Sequence, residues 1–445
     1  MPADATTDDA TAQAATEAAP EAAPTRPVDP TRPVDPGDRA GGPATSRRSV
    51  LRAAGLGGAT VLVLGTAALS YRAFDTRVLD PGGGDAFDPW RTWREQPGPL
   101  GCVAAAILAA NPHNSQAWAF AVTDRTIDVH ADRTRATGSL DPLGRELEIG
   151  LGCALENLVL SARAQGLGPQ VRLLPDGPDG DRVATVSVTR TAPAPSALHD
   201  AIGRRHTNRG PFRDEPLPAS ALRGLVDQGD LDGLDVTWVT DPADRGHLGQ
   251  LLIDAASAVA ADGQQSRDSF AWFRPDDDAV QQHRDGLTLD GQGLSPLLLS
   301  VAKLLPPSSR PAGDEFWVRQ TRTVHTRTAA AYGVLTAADP ADTLTRLQAG
   351  RLLQRIHLTA TTQGIALHHM NQITERLDRE QATGAAPGPE AGSGSGSGSG
   401  SASGFRERFA ALLPPGRRPV ATFRVGHPVR DARVSPRRPV GQVLR

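Results

Sequence analysis

Two long segments with helical spacing of apolar residues repeat each other at a constant offset of 198 positions, and this repeat limits the chain to folds with two similar halves. The segments span residues 151–165 and 343–363, and each is followed by a glycine, Gly166 or Gly364, that can end a helix. The matching positions are Gly152, Leu155, Glu156, Leu158, Leu160, Ser161, Ala162, Gln165, Gly166 and Leu167 with Gly350, Leu353, Gln354, Ile356, Leu358, Thr359, Ala360, Gln363, Gly364 and Ile365. Amphipathic composition alone can produce part of this match. The trailing Gln-Gly pair favours a duplication, which predicts two halves packed about a pseudo-twofold axis, as in a fused homodimer.

Strands are predicted where apolar and polar residues alternate, and a further long helix is predicted over residues 242–261. The alternating segments are 171–174, 184–188, 234–238 and 420–425. Helices mixed with such strands predict an α+β fold, here a duplicated sandwich in which each sheet is covered on one face.

The first 100 residues are predicted to lie outside the globular part. Residues 1–45 are rich in Ala, Pro, Thr and Asp and are predicted to be disordered, because they cannot bury enough apolar surface. Residues 46–71 place Arg47 and Arg48 just before an uncharged run, which is the pattern of a twin-arginine signal. We therefore expect export by the twin-arginine machinery to an extracytoplasmic location, with residues 53–71 as a cleaved signal or a membrane anchor. A buried helix with a basic flank is the alternative interpretation.

Composition and linker segments constrain the domain organisation of the chain and the partners it can bind. Residues 72–100 are predicted to be a linker, followed by a first half at 101–200 and a second half at 201–445 that contains a Gly-Ser linker at 383–403. Lys and Arg number 47 and Asp and Glu number 50, so the net charge of −3 argues against a nucleic-acid partner. The sequence has two cysteines, Cys102 and Cys153, which excludes a disulfide scaffold.

The amide segment, residues 110–118, is the first candidate site. It brings Asn111, Asn114 and Gln116 together with a histidine and a tryptophan. Side-chain amides donate and accept hydrogen bonds at once, as the edge of a planar heterocycle requires. An Asx-turn beside a buried Trp118 is the alternative interpretation.

Two basic segments are the second candidate. The arginine segment, residues 204–212, contains Arg204, Arg205, Thr207, Asn208 and Arg209. The C-terminal basic segment, residues 435–439, contains Arg437 and Arg438. Guanidinium groups suit phosphate, although a solvated surface cluster is the alternative for each segment. Because the amide segment lies in the first half and the basic segments lie in the second, the duplication predicts one composite site. No metal site is expected, since His357, His368 and His369 lack metal-ligand spacing.

Over residues 101–445 these motifs resemble the nitroreductase family of flavoproteins, in particular its fused, two-lobed Acg-like branch. The resemblance implies that Asn111, Asn114 and Gln116 line an FMN. It also implies that the arginine segment grips the phosphate and ribityl chain, and that Arg437 and Arg438 bind the phosphate. Ala110 and Ala117 stand where the family has prolines.

The function that the resemblance implies is an FMN-dependent oxidoreductase. It would reduce nitro- or quinone-type small-molecule electrophiles by two electrons, with NAD(P)H as a candidate donor and with the flavin performing the chemistry. A single chain would act as an internal dimer. The alternative is a flavin-binding or flavin-sequestering protein with little turnover, because pyridine nucleotides are scarce outside the cytoplasm. Residues 266–317 resemble an insertion that can cover the flavin.

Overall fold

The computed structural model describes residues 76–78, 80–226, 233–384 and 403–445. The predicted disordered segment at 1–45, the predicted signal or anchor at 46–71 and most of the Gly-Ser linker lie outside these ranges. Within them, no helix has both the length and the hydrophobicity that crossing a bilayer requires.

The first half contains one antiparallel sheet of four strands in the order β1-β2-β4-β3. Its elements are α1 (Asp88–Thr92), α2 (Gly98–Ala106), β1 (Trp118–Val122), β2 (Thr126–Ala131), α3 (Arg145–Ala164), β3 (Leu167–Leu173), β4 (Arg182–Arg190) and α4 (Ala197–Ala201). Burial alternates along β2, so this sheet is covered on one face, as predicted.

The second half repeats this architecture. Its elements are α5 (Ala219–Val226), β5 (Leu234–Val239), α6 (Pro242–Ala261), α7 (Gly263–Ala271), α8 (Asp277–His283), α9 (Pro296–Leu304), α10 (Arg310–Gln320), β6 (Ala331–Ala337), α11 (Thr343–Thr362), β7 (Ala366–His369), α12 (Gln372–Thr383), α13 (Ser403–Ala410) and β8 (Arg418–Gly426). The strand order β5-β6-β8-β7 matches the order of the first sheet, and every pairing is antiparallel. The predicted α+β duplication is therefore confirmed by the topology.

The two halves differ in what joins their first two strands. Three residues, 123–125, connect β1 to β2, whereas residues 240–330 connect β5 to β6; we call residues 240–330 the insertion. On β6, Tyr332 and Val334 pack into a separate core with Leu248 and Leu251 of α6, while Leu335 packs into the main core. The prediction of one covered face is therefore wrong for the second sheet, because the insertion covers its outer face.

The linker prediction for residues 72–100 is also wrong over most of its length. Trp90 on α1 and Trp93 directly after it are 8% and 7% exposed. Pro89 and Pro99 lie in the first turns of α1 and α2, where proline is tolerated because its missing N–H has no intrahelical partner. In this segment, proline begins helices instead of marking a linker.

Helices α3 and α11, the repeated pair, pack directly against each other where Gly152 faces Gly350. A Cβ atom built on Gly350 would lie 2.0 Å from the carbonyl oxygen of Ile149 and 2.9 Å from the Cα atom of Gly152. A Cβ atom on Gly152 would lie 2.1 Å from the carbonyl oxygen of Leu347. Since 152 and 350 are equivalent positions of the repeat, this contact has the isologous form of a C2 interface.

Buried polar pairs flank the glycine contact. Glu156, fully buried, accepts from Arg351 at 2.9 Å and from Arg355 at 2.6 Å. The amide of Gln354 donates to the side-chain oxygen of Asn157 at 2.8 Å. These pairs fix the register of the two helices, because each buried polar group finds its partner on the other helix.

We expect Gly350→Ala to destabilise the protein, because its methyl group has no room beside the backbone of α3. The expected loss is about 1–3 kcal/mol, as for overpacked cores. Chemical denaturation followed by far-UV circular dichroism measures it. Gly246→Ala is the matched control, since Gly246 lies on α6 and a Cβ atom there would meet no described atom within 4 Å. That control should be neutral or stabilise by about 0.5–1 kcal/mol; equal losses in both variants would contradict the packing argument.

Candidate functional site

A cavity of about 260 Å³ lies where the two halves and the insertion meet. The first half contributes Asn111, Pro112, His113 and Glu146, the second half contributes Thr207, Arg209, His368, His369, Asn371 and Glu375, and the insertion contributes Phe270, Phe273, Phe316 and Trp317. One cavity is thus lined by both halves, as the division of the motifs predicted.

The amide segment reaches the cavity through a strained turn. His113, Asn114 and Gln116 have φ angles of 47°, 54° and 53°, in the left-handed region that side chains seldom adopt. The side-chain oxygen of Asn111 accepts from the backbone N–H of Gln116 at 2.8 Å and closes the turn. Backbone of this kind costs about 1–3 kcal/mol per residue and concentrates at functional sites.

Within this segment the three predicted residues have different roles. Asn111 lines the cavity. The buried amide of Asn114 donates to the carbonyl oxygens of Gly286 at 3.2 Å and Pro436 at 2.9 Å. The amide of Gln116, fully buried, donates to the carbonyl oxygen of Arg284 at 2.8 Å and accepts from the N–H of Arg438 at 2.9 Å. Asn114 and Gln116 therefore bind the insertion and the C-terminal segment to the first half.

Arg437 is buried and makes its hydrogen bonds to protein groups. Its guanidinium donates to the side-chain oxygen of Asn114, to the hydroxyl of Ser435 at 2.7 Å and to the carbonyl oxygen of Ala109 at 3.2 Å. It lies over the ring of Trp90, 4.9 Å from the centroid. Burial holds the pKa of Arg437 well below its ordinary value.

Arg205 approaches the same ring, so the two basic segments converge on Trp90. Its guanidinium lies 6.0 Å from the ring centroid and donates to the carbonyl oxygen of Leu108 at 3.0 Å. It also lies 3.3 Å from Nδ1 of His357. Burial lowers the pKa of Arg205 to about 10.

The remaining predicted residues are spread around this cluster. Thr207 and Arg209 line the cavity. Asn208 is buried and donates to the carbonyl oxygen of Arg430 at 2.8 Å. Arg438 is half-buried against the carbonyl oxygen of Gln116 at 3.4 Å, and Arg204 is exposed and does not line the cavity.

Arg424 on β8 organises the arginine segment, and sequence reasoning missed it. Its guanidinium is fully buried and donates to Nδ1 of His368 at 3.1 Å and to the carbonyl oxygen of Gly210 at 2.7 Å. It lies 4.0 Å from the ring centroid of Phe212. Arg424 lies in a segment where apolar and polar residues alternate, and an arginine at a polar position of such a segment predicts a solvent-facing side chain. The sequence therefore gave no indication that Arg424 is buried.

The histidines of the cavity are held neutral. Burial and the charge of Arg209 lower the pKa of His113 to about 4, and burial with Arg205 and Arg209 lowers that of His369 to about 3. The pKa of His368 is also well below its ordinary value because of burial and the neighbouring His325 and arginines. Arg209 remains charged at neutral pH, since burial lowers its pKa only to about 10. In the described part of the chain, no carboxylate pairs with Arg205, Arg209, Arg424 or Arg437. Of these four, Arg209 lines the cavity and gives its lining a positive charge.

Two carboxyl groups, which sequence reasoning also missed, form another wall. Glu146 lies in the first turn of α3, and Glu375 lies in the first turn of α12. Burial raises the pKa of Glu146 to about 8, and burial with the charge of Glu146 raises that of Glu375 well above its ordinary value. Their separation of 229 positions in the chain hid the pair from the sequence.

The insertion is fastened to the first half beside the cavity. Asp268 accepts from the backbone N–H of Ser139 at 2.8 Å, and Asp285 pairs with Arg135 and, at 2.6 Å, with Arg274. Residues of the segment 266–317, among them Phe270 and Trp317, line the cavity.

Proteins similar in sequence to this chain carry nitroreductase names. No family model matches the chain. A Mycobacterium tuberculosis protein named "Putative NAD(P)H nitroreductase Rv3131" is 28% identical over 281 residues, which are 59% of this chain and 73% of that protein. A second one, "Putative NAD(P)H nitroreductase acg", is 31% identical over 133 residues, 28% of this chain and 39% of that protein.

The chain is thus similar in sequence to proteins named as putative NAD(P)H nitroreductases. Solved structures that it resembles include a nitroreductase with bound FMN from Desulfitobacterium hafniense, at 16% identity and a TM-score of 0.30, covering 55% of this chain and 95% of that one. Another is a nitroreductase with bound FMN from Bacteroides fragilis, at 12% identity and a TM-score of 0.29, covering 55% and 94%. The two-lobed architecture of the chain rests on its own matching strand orders.

We expect Asn114→Ala to destabilise the protein by about 2–4 kcal/mol, because it removes one acceptor of the buried Arg437 guanidinium and the amide donor to the carbonyl oxygens of Gly286 and Pro436. Urea denaturation measures the loss. Gln250→Ala, which truncates an exposed amide bonded to Asp254, is the control and should stay within about 0.5 kcal/mol of the wild type. A loss of similar size in both would show that the convergence at Asn114 does not stabilise the fold.

Proposed function

We propose that the protein is an FMN-dependent oxidoreductase of the nitroreductase type, with one flavin site per chain. The observation that carries the proposal is a single cavity in which the amide segment of one half meets the arginine segment of the other. The homologues support an oxidoreductase, since both are named as NAD(P)H nitroreductases.

The residues of the cavity fit a flavin mononucleotide. Nε2 of His369 is buried without a hydrogen-bond partner among the described residues, so a polar group of the flavin can satisfy it. Arg209, whose guanidinium bonds to the carbonyl oxygen of Gly291 at 3.2 Å, supplies a cation that suits a phosphate or an anionic ring. Phe270, Phe316 and other apolar side chains provide the surface that a planar ring system buries.

Each predicted residue has a proposed part in holding the flavin. Asn111, Thr207 and Arg209 contact it directly, because they line the cavity. Asn114, Gln116, Arg205 and Asn208 hold the walls in place through their hydrogen bonds to the main chain. Arg437 and Arg438 support the phosphate end, and Arg204, which is exposed, has no contact in this proposal.

When bound, FMN supplies two-electron transfer, and the protein's own groups position it and exclude water. We propose nitro- or quinone-type electrophiles as substrates and NAD(P)H as the donor, the latter because the relatives carry that donor in their names. We further propose that the chain works as a monomer, since its two halves already form the paired interface.

We expect the purified full-length protein to be yellow, with close to one noncovalent FMN per chain. Heat release followed by chromatography and absorbance identifies and counts the flavin. One site follows from the unequal motifs of the halves. Finding FAD, two flavins, or none after reconstitution with FMN would contradict the composite site.

A flavin-sequestering protein is the second candidate, and the insertion over the cavity is the observation that favours it. Steady-state reduction of menadione with NADPH or NADH separates the two. Turnover that exceeds many flavin equivalents supports the oxidoreductase, whereas flavin binding without turnover with either donor supports sequestration.

We expect Arg209→Met to weaken FMN binding while changing riboflavin binding little. A charge-assisted contact contributes about 1.5–3 kcal/mol, which is roughly one to two orders of magnitude in the dissociation constant. Fluorescence quenching measures both flavins. Arg204→Met is the control from the same segment and should leave both dissociation constants unchanged, because Arg204 is exposed.

The double variant Arg437→Ala with Arg438→Ala tests the C-terminal segment in the same assay. Selective loss of FMN binding, with riboflavin binding unchanged, would show that Arg437 and Arg438 contact the phosphate directly. Because Arg437 is bonded to Asn114 and to carbonyl oxygens, we expect both flavins to bind more weakly.

A further inference from the structure

The carboxyl group of Glu146 has one engaged and one unengaged oxygen at the cavity wall. Its Oε2 accepts from the side-chain amide of Asn371 at 2.7 Å, and Asn371 also lines the cavity. Its Oε1 is buried and has no hydrogen-bond partner among the described residues. The residue as a whole is 5% exposed, so bulk water cannot satisfy that oxygen. Glu375 lines the same cavity from α12.

The charges around this pair are unbalanced. Four carboxyl groups, those of Asp141, Glu146, Glu375 and Asp378, act on one another. The guanidinium of Arg145 opposes all four, and Arg346 and Arg406 also act on Asp378. Arg145 pairs with Asp378 at 2.7 Å. Asp141 accepts from the backbone N–H groups of Glu146 at 3.1 Å and Leu147 at 2.9 Å, and these bonds offset part of the burial that raises its pKa. Of these four carboxyl groups, Glu146 and Glu375 are the two that line the cavity, and neither forms an ion pair among the described residues.

Other titratable groups of the cavity do not neutralise the pair. His113, His368 and His369 are neutral, for the reasons given above. Arg209 bonds to Gly291, and Asp314 lies close to Arg310 and accepts from Ser266. Glu148, two residues from Glu146 on α3, pairs with Arg346 at 3.1 Å and does not line the cavity.

We propose that Glu146 and Glu375 form an acid pair that donates a hydrogen bond, and then a proton, to an acceptor oxygen of the molecule bound in the cavity. This assigns the site an uncharged ligand with a carbonyl-type oxygen, such as a quinone. The ligand class rests on the proposed function. The protonated pair itself rests on the unpartnered oxygen, the cavity and the shortage of counter-charge.

The proton transfer balances with the proposed reduction. Converting a quinone to a hydroquinone consumes one hydride and one proton, and the hydride comes from the reduced cofactor of the proposed function. The O–H bond of Glu146 breaks, the proton moves to the quinone oxygen, and the electron pair stays on the carboxylate. The N–H group of Asn371 stabilises that carboxylate, and the increased negative charge holds the second proton on Glu375.

The test measures binding of menadione to the full-length protein with oxidised flavin and no electron donor, by equilibrium dialysis from about pH 6 to pH 9.5. Donation needs the protonated acid, so affinity should be constant at low pH and fall above about pH 8, by up to tenfold per pH unit. Cys102 and Cys153 should not react with the probe, because burial raises both thiol pKa values to about 12.

The double variant Glu146→Gln with Glu375→Gln keeps hydrogen-bond donors of the same shape and removes both titrations. Its affinity for menadione should be the same at every pH in this range. Glu148→Gln is the matched control and should keep the wild-type pH dependence. A flat wild-type profile, an unchanged profile in the double variant, or no menadione binding at any pH would each overturn the proposal.

Two readouts do not depend on the ligand. The infrared band of a protonated carboxylic acid should be present at about pH 6, decline by about pH 9.5, and be weaker in the double variant. Because the folded-state pKa of Glu146 is raised, the folded protein binds this proton more tightly than the unfolded chain, and stability falls as pH rises from about 4.5 through about 8. The double variant should lack this part of the decline.

Failure of this proposal is distinguishable from failure of the proposed function. If the protein binds FMN but its affinity for menadione does not change with pH, only the acid-pair proposal fails. If the protein binds no FMN, the proposed function fails. The infrared band and the pH dependence of stability then still test the acid pair.

Discussion

The contact between Gly152 and Gly350 is the constraint on which the rest of the structure depends. With backbone meeting backbone, the two long helices approach more closely than any pair of side chains would allow. This approach brings Gly150 and Cys153 of α3 and Leu353 of α11 into one cavity wall. A larger residue at either glycine would push the halves apart and change every distance across the cavity.

Burial then shifts the pKa values of the titratable groups at and around the cavity. Desolvation is the largest cause of the lowered pKa values at Arg205 and Arg209 and of the raised value at Glu146. Arg209 and the carboxyl groups of Glu146 and Glu375 all line the cavity, and no ion pair joins them in the described part of the chain. Such a cavity favours a ligand with an anionic part and an uncharged acceptor part, which is the combination that the two proposals require.

The amide segment joins the first half to the insertion and to the C-terminal segment through hydrogen bonds. Its left-handed turn is maintained because Asn114 and Gln116 bond to the insertion and to the C-terminal segment, which are distant in the sequence. The strain in this turn is therefore offset by contacts that form only when the insertion and the C-terminal segment are docked. Loss of either would release the turn and the position of Asn111 at the cavity.

The sequence by itself determined the duplication, the α+β class and the long helices, because apolar spacing and terminal glycines are local signals. The predicted helix at 242–261 and the glycine stops at Gly166 and Gly364 match the structure for this reason. It also identified the segments that converge, since amides and arginines cluster within a few residues.

Only the tertiary structure decided which members of those segments line the cavity, because that depends on partners hundreds of residues away. Asn111 and Arg209 line it, while Asn114 and Arg437 bond to each other. The same limit explains Arg424 and the acid pair of Glu146 and Glu375. Burial changes the pKa values and the hydrogen bonding of these side chains, and burial depends on the packed chain rather than on any local sequence pattern.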